Sequence, residues 1–223
     1  MNPSLSQIRL VIFDCDGTLV DSLEGIHRVM NRAVVQAGLA SGVSGYQVAG
    51  VVGLSMSEAL ESLFPDAPLL QRDLAIKLYK DHYKQLADGG LMPNALFPGV
   101  REALDWLRQR GFQLGMATGK SMRGVERTLA EHDLHGYFSY LKSADCAPSK
   151  PHPGMVLQII DESGFSAREI LMVGDTDFDM IMGRQAGVWT CAVTYGCHSR
   201  ERLAAAKPDF WLDSMSGLSS LLI

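Results

Sequence analysis

Apolar and polar positions divide this chain into a short opening strand, a helical stretch and a long alternation of strands and helices. Leu10, Val11, Ile12 and Phe13 make an unbroken apolar run that stops at Asp14, Cys15, Asp16, Gly17 and Thr18. A run of this length bounded by turn residues predicts a buried strand ending in a tight turn. Ser22 then precedes Leu23, Ile26, Met30, Ala33, Val34 and Ala37, whose spacing predicts a helix capped by Ser22 and ended by Gly38. Residues 42–53, rich in glycine and small residues, read as a loop. Ser55 and Glu58 have capping-box spacing and open a helix through Leu60, Leu63 and Phe64, which Pro65 ends. A longer helix is expected over 68–86, with Leu70, Leu74, Leu78 and Tyr79 on its apolar face and Asp88, Gly89 and Gly90 as its stop.

Beyond this helical stretch the pattern alternates. It predicts a helix over 100–110, a strand over 112–117, a helix to 134, a helix over 152–163, a strand over 170–173, a helix over 178–187 and a strand over 188–193. A late edge strand over 210–212 and a short terminal helix complete it. Alternation of this kind is the signature of a parallel sheet. The expected fold class is therefore α/β, a Rossmann-like parallel sheet core of residues 1–20 and 93–223 with an inserted α-helical cap domain of residues 21–92. Hinges are expected at 20–23 and 92–99, where Pro93, Pro98 and Gly99 punctuate the chain.

Composition narrows the partners. With 223 residues, 47% of them hydrophobic, the chain can bury a real core. A net charge of −5 and the lack of a long basic run exclude a nucleic-acid backbone as the expected partner. Four widely spaced cysteines form no Cys-x-x-Cys pair and no disulfide scaffold, which fits a reducing cytoplasm. Neither a signal-like amino terminus nor a membrane-length apolar run is present. The expectation is a soluble cytoplasmic protein with no membrane partner, a monomer or homodimer.

Asp14 and Asp16 sit where an open α/β sheet binds ligands, at the carboxyl end of a strand. Two like charges in a half-buried turn call for a proton or a cation. Taken alone, these residues leave a polar turn and a metal site equally open. The longer string Phe-Asp-Cys-Asp-Gly-Thr-Leu-Val-Asp-Ser closely resembles the first motif of the haloacid dehalogenase superfamily of phosphohydrolases. The resemblance implies that Asp14 is a nucleophile that takes up a phosphoryl group, and that Asp16 is the general acid and base.

Three later stretches resemble the family's other motifs in order. Thr118 and Gly119 by themselves read as the cap of a helix, shared with Ser121. Beside Asp14 they resemble the second motif, which implies phosphate binding by Thr118, Gly119 and Lys120. Lys150, followed by Pro151, His152 and Pro153, resembles the third, whose lysine offsets the charge of the nucleophile and the phosphoryl group. Gly174, Asp175 and Asp179 resemble the fourth. It implies an Mg²⁺ site made by Asp14, the backbone carbonyl of Asp16 and Asp175, with Asp179 orienting that shell or a metal-bound water. Asp177 is read as helix N-terminal charge. Scattered histidines and cysteines offer no zinc spacing.

The implied activity is phosphomonoester hydrolysis of a small phosphorylated metabolite, similar to that of phosphoglycolate phosphatases. Substrate choice is expected from Gly53, Leu54, Ser55 and Met56, with His27 and Arg28. No lysine or arginine lies between Val43 and Leu70, so a substrate carboxylate needs a cation from elsewhere, and sugar phosphates or pyrophosphate are equally open. A phosphomutase resembling β-phosphoglucomutase is the alternative; where such mutases carry a hinge histidine this chain has Ile26, with His27 beside it. A catalytically idle binding protein is the other. Asp16 separates the chain from the dehalogenases, which lack the second aspartate, and from phosphonate-cleaving relatives, which carry a small residue there.

Overall fold

A computed structural model describes residues 5–222. Strand β1 (Leu10–Phe13) lies inside a parallel sheet of order β5-β4-β1-β6-β7-β8, the others being β4 (Gln113–Thr118), β5 (Tyr140–Ser143), β6 (Ile170–Gly174), β7 (Trp189–Val193) and β8 (Phe210–Leu212). Phe13 is in register with Met116 on one side and Val173 on the other. Its four residues alternate between two cores: Val11 and Phe13 join one apolar cluster, Leu10 and Ile12 the other. That two-sided burial is why the strand reads as a continuous apolar run.

Between β1 and β4 the chain leaves the sheet through a two-residue ribbon, β2 (Val20–Asp21) paired antiparallel with β3 (Ala95–Leu96). The ribbon joins the two positions expected to be hinges. Four helices lie between its strands: α1 (Leu23–Gln36), α2 (Gly45–Ala49), α3 (Met56–Leu63) and α4 (Leu69–Asp88). They share an apolar cluster of their own, built on Ile26, Met30, Val34, Val48, Leu60 and Ala75. The remaining helices are α5 (Val100–Gln109), α6 (Met122–Glu131), α7 (Gly154–Ser163), α8 (Asp177–Ala186), α9 (Arg200–Ala205) and α10 (Leu218–Leu221).

Some local expectations are corrected. Residues 42–53 contain α2, whose start is fixed by a capping box between Ser44 and Gln47. On α4, Leu70 and Leu74 are exposed, at 83% and 44%, while Ala75 and His82 are buried and Ile76, Leu78 and Tyr79 pack on the helical cluster. Packing against α1, where His82 Nε2 lies 2.7 Å from Gln36 Oε1, leaves Leu70 and Leu74 outside, while Leu78 and Tyr79 face the cluster as expected. The Ser22 hydroxyl does not cap α1; it donates to Asp16. Ser55 caps α3 as expected, but its own N–H donates to Ser149 Oγ at 2.7 Å instead of closing the box with Glu58. All four cysteines are free, and no helix among the described residues is long and apolar enough to cross a membrane.

Candidate active site

Three neighbouring strands deliver their ends to one edge of the sheet. Asp14 follows β1, Thr118 closes β4 and Asp175 follows β6. Lys150 enters from the loop between β5 and α7, and Asp179 from the first turn of α8. Asp14, Asp175 and Asp179 are fully buried, Lys150 and Thr118 almost so.

Lys150 Nζ lies 2.6 Å from Asp14 Oδ1 and 2.6 Å from Asp179 Oδ1. Asp179 Oδ2 accepts from the Thr176 N–H and hydroxyl at 3.1 and 2.7 Å, so the capping box of α8 also aims its carboxylate. Asp175 accepts from the Thr18 hydroxyl at 2.8 Å and from the Cys197 N–H at 2.7 Å. The turn can close this tightly because of Gly17, whose φ is +83° and where a Cβ would lie 2.2 Å from Asp175 Oδ2. Asp14 Oδ2 is left buried without a hydrogen bond among the described residues.

One ammonium thus faces three buried carboxylates. Burial, then the charges of Asp179 and Asp175, outweigh Lys150 and push the Asp14 carboxyl up to about 8. Burial and Asp179 push Asp175 up to about 6. Burial opposes the charge of Lys150, but Asp14 and Asp179 prevail and hold it above the ordinary lysine value. A divalent cation relieves this imbalance directly. Carboxylate oxygens of Asp14, Asp175 and Asp179 all lie within 4.8 Å of one another, an all-oxygen set that suits a hard ion such as Mg²⁺. The side chain of Asp16 stands outside this cluster.

Asp16 is instead held by Ser22 and by Lys120, whose Nζ is 2.5 Å from Oδ1. Both of those contacts use Oδ1 of Asp16, and the residue lines a cavity of about 610 Å³ between the sheet edge and the helical insertion. Burial opposes the charge on Lys120, yet Asp16, with Cys15 and Tyr83, holds it well above the ordinary value. Thr118 Oγ1 accepts the Lys120 N–H at 3.3 Å, while Ser121 alone caps α6. Gly119 meets the insertion: a Cβ there would lie 2.4 Å from the Gly53 carbonyl oxygen.

Of the residues expected to choose substrate, Gly53, Leu54, Ser55 and Met56 line the cavity. His27 and Arg28 do not; His27 Nε2 lies 2.9 Å from the Val43 carbonyl oxygen, where it braces the loop before α2. Tyr79, Lys80, Tyr83 and Lys84 of α4, and Arg123 and Arg127 of α6, were not singled out for this role but line the cavity as well. The repeated Tyr-Lys pair, four residues apart and so on one helix face, is the signal that finds them. Asp177 does more than charge a helix end. It binds Arg202 through two contacts of 2.8 and 3.0 Å, and Arg202 Nη1 donates to the Gly50 carbonyl of the insertion at 3.1 Å.

A family profile described as haloacid dehalogenase-like hydrolase matches residues 11–193, from β1 to the end of β7. The chain belongs to that family. Among the relatives of this haloacid dehalogenase-like hydrolase is a phosphoglycolate phosphatase of Vibrio parahaemolyticus, 33% identical over 95% of this chain and 94% of its own length. The probable phosphatase IndB of Dickeya dadantii is also 33% identical, over 93% and 90%. In three dimensions the chain is similar to a predicted phosphoglycolate phosphatase from Haemophilus somnus, with a TM-score of 0.86, 24% identity and coverage of 97% and 99%.

Proposed function

We propose that this hydrolase is a Mg²⁺-dependent phosphomonoester phosphatase, similar to its phosphoglycolate phosphatase relatives, that works through a phosphoryl group carried on Asp14. The observation that carries the proposal is Asp14 Oδ2, a buried carboxylate oxygen without a hydrogen bond beside Lys150 and two further carboxylates. A structural ion pair has no use for such an atom, whereas a nucleophile or metal ligand needs one.

Asp14 attacks phosphorus, the bond from phosphorus to the leaving oxygen breaks, and Asp16 supplies the proton that the alcohol takes away. Water then attacks the aspartyl-phosphate, Asp16 takes the water's proton, and Asp14 is released with inorganic phosphate. Lys150 balances charge at Asp14 throughout, and Thr118 and the Gly119 and Lys120 backbone hold a phosphoryl oxygen. Asp14, Asp175 and Asp179, with the Asp16 carbonyl, would hold Mg²⁺, whose chemistry here is to neutralise charge between the nucleophile and the phosphoryl oxygens.

Residues 21–92 act in this reading as a cap over a core of residues 1–20 and 93–223. Asp14 is sealed from solvent while Gly53 touches Gly119 and Arg202 holds Gly50, so substrate enters when the cap lifts on the β2–β3 ribbon. Phosphate release from an aryl phosphate, measured with and without Mg²⁺ for wild type and Asp14→Asn, tests the assignment. Metal-dependent release lost in the variant is expected; release that survives in Asp14→Asn overturns it.

A further inference from the structure

The cavity above Asp16 is larger than a glycolate leaving group fills, and one side of it is apolar. At about 610 Å³ it falls in the range that encloses ring-sized ligands. This is the volume with the insertion seated, since Gly119 already touches Gly53 and Ser55 is bonded to Ser149. A substrate of a few heavy atoms leaves most of that space wet.

The wall says what fills it. Ile26, Met30, Leu54, Met56 and Ile76 give it a hydrophobic side. Tyr79 and Tyr83 face the same space with ring centroids 6.0 Å apart. Two of the three serines on the wall are engaged, Ser55 Oγ bonded to Glu58 and Ser121 Oγ accepting from Gly124. Along the side made by Ile26, Met30, Leu54, Met56 and Ile76 a sugar's hydroxyls find no partner, and each one buried without a bond weakens binding. Neither tyrosine hydroxyl makes a hydrogen bond among the described residues, and burial pushes both phenols above the ordinary tyrosine value, so both remain donors. Lys80, Lys84 and Arg123 line the cavity without an ion-pair partner among the described residues and supply positive charge that draws a phosphate inward.

Resting on the phosphatase reading, we propose that Tyr79 and Tyr83 form a leaving-group subsite for a planar, largely apolar body, and that the substrates are phosphomonoesters of aromatic alcohols. The ring lies against the two tyrosines and the aliphatic wall, while its ester oxygen faces Asp16. The reaction is the ordinary hydrolysis, giving the free alcohol and inorganic phosphate.

The full-length chain with Mg²⁺ is assayed on benzyl phosphate, glycerol 3-phosphate and phosphoglycolate. Benzyl phosphate releases an alkyl alcohol, so any preference for it reflects binding of the ring and not an activated leaving group. The expected kcat/KM for benzyl phosphate exceeds both others by about tenfold or more, the discrimination an apolar pocket supplies. Tyr79→Ala and Tyr83→Ala should each shrink that ratio through KM, and Tyr79→Phe should retain most of it. Phosphoglycolate or glycerol 3-phosphate turned over as well as benzyl phosphate by the wild type overturns the subsite and leaves the phosphatase reading standing. No release from any of the three, nor from an aryl phosphate, overturns both. The wild-type ratio decides even if an alanine variant fails to fold.

Discussion

Lys120 Nζ lies 2.5 Å from Asp16 Oδ1, with the two side chains only 8% and 11% exposed. A motif that opens the second helix of the core therefore supplies a fixed counter-charge to the residue assigned as acid and base. Lys120→Met should lower kcat by about a hundredfold, the scale of losing one preorganised charged donor. Steady-state kinetics read this directly, and a kcat within twofold or so of wild type contradicts the role, since a lost donor of this kind costs far more.

Among the described residues, Lys150 is the only cation paired with the buried carboxylates Asp14 and Asp179. Removing one partner of such a group strands the others in a low-dielectric interior. Lys150→Met should cost about 3–5 kcal/mol of stability in metal-free buffer, with part restored by Mg²⁺. Urea unfolding in EDTA and in MgCl₂ provides the test; equal midpoints for variant and wild type in EDTA count against it.

The same imbalance predicts that the folded wild type binds Mg²⁺ without any substrate. At a hundredfold excess over its dissociation constant the ion should stabilise the fold by about 2.7 kcal/mol. Asp175→Asn should remove most of that gain. Thermal melting against MgCl₂ concentration measures both, and a wild-type midpoint that ignores the ion is the contrary result.

Gly119 leaves no room for a side chain between the core and the insertion, with the Gly53 and Leu54 carbonyl oxygens 2.4 and 2.6 Å from where a Cβ would lie. Gly119→Ala should keep the fold and lower kcat/KM by about tenfold or more, because misplacing a closing element costs orientation. Arg202→Ala should loosen the same closure from the other side by freeing Gly50 and Asp177, at about 1 kcal/mol for an ion pair open to solvent. Faster amide exchange over residues 50–54 is the expected signature, and unchanged exchange there refutes the latch.

The core was legible because its physics is local. A strand buried on both faces writes itself as four apolar residues, and its end is marked by Asp14, Asp16 and Gly17. Asp175 and Lys150 were found by motif, and their convergence followed from strand ends sharing one edge. What the sequence hid depends on packing. Strand β5, with Lys142 inside it and its first three residues only partly buried, has no apolar period to show. The buried face of α4 is set by contact with α1, so Leu70 and Leu74 misdirect while Leu78 does not. Thr18, Ser149 and Arg202 act through partners 157, 94 and 152 residues away, distances no local pattern spans.

The most direct test is to trap the phosphoryl group. Asp16→Asn, which keeps Asp14 but lacks the base proposed to release phosphate, is mixed with Mg²⁺ and an aryl phosphate, quenched in acid and analysed by peptide mass spectrometry. One added phosphoryl group on the peptide containing Asp14, removed by hydroxylamine, is the result the account predicts. Phosphate release by the wild type with no adduct on that peptide in the variant, or an adduct on another residue, contradicts it.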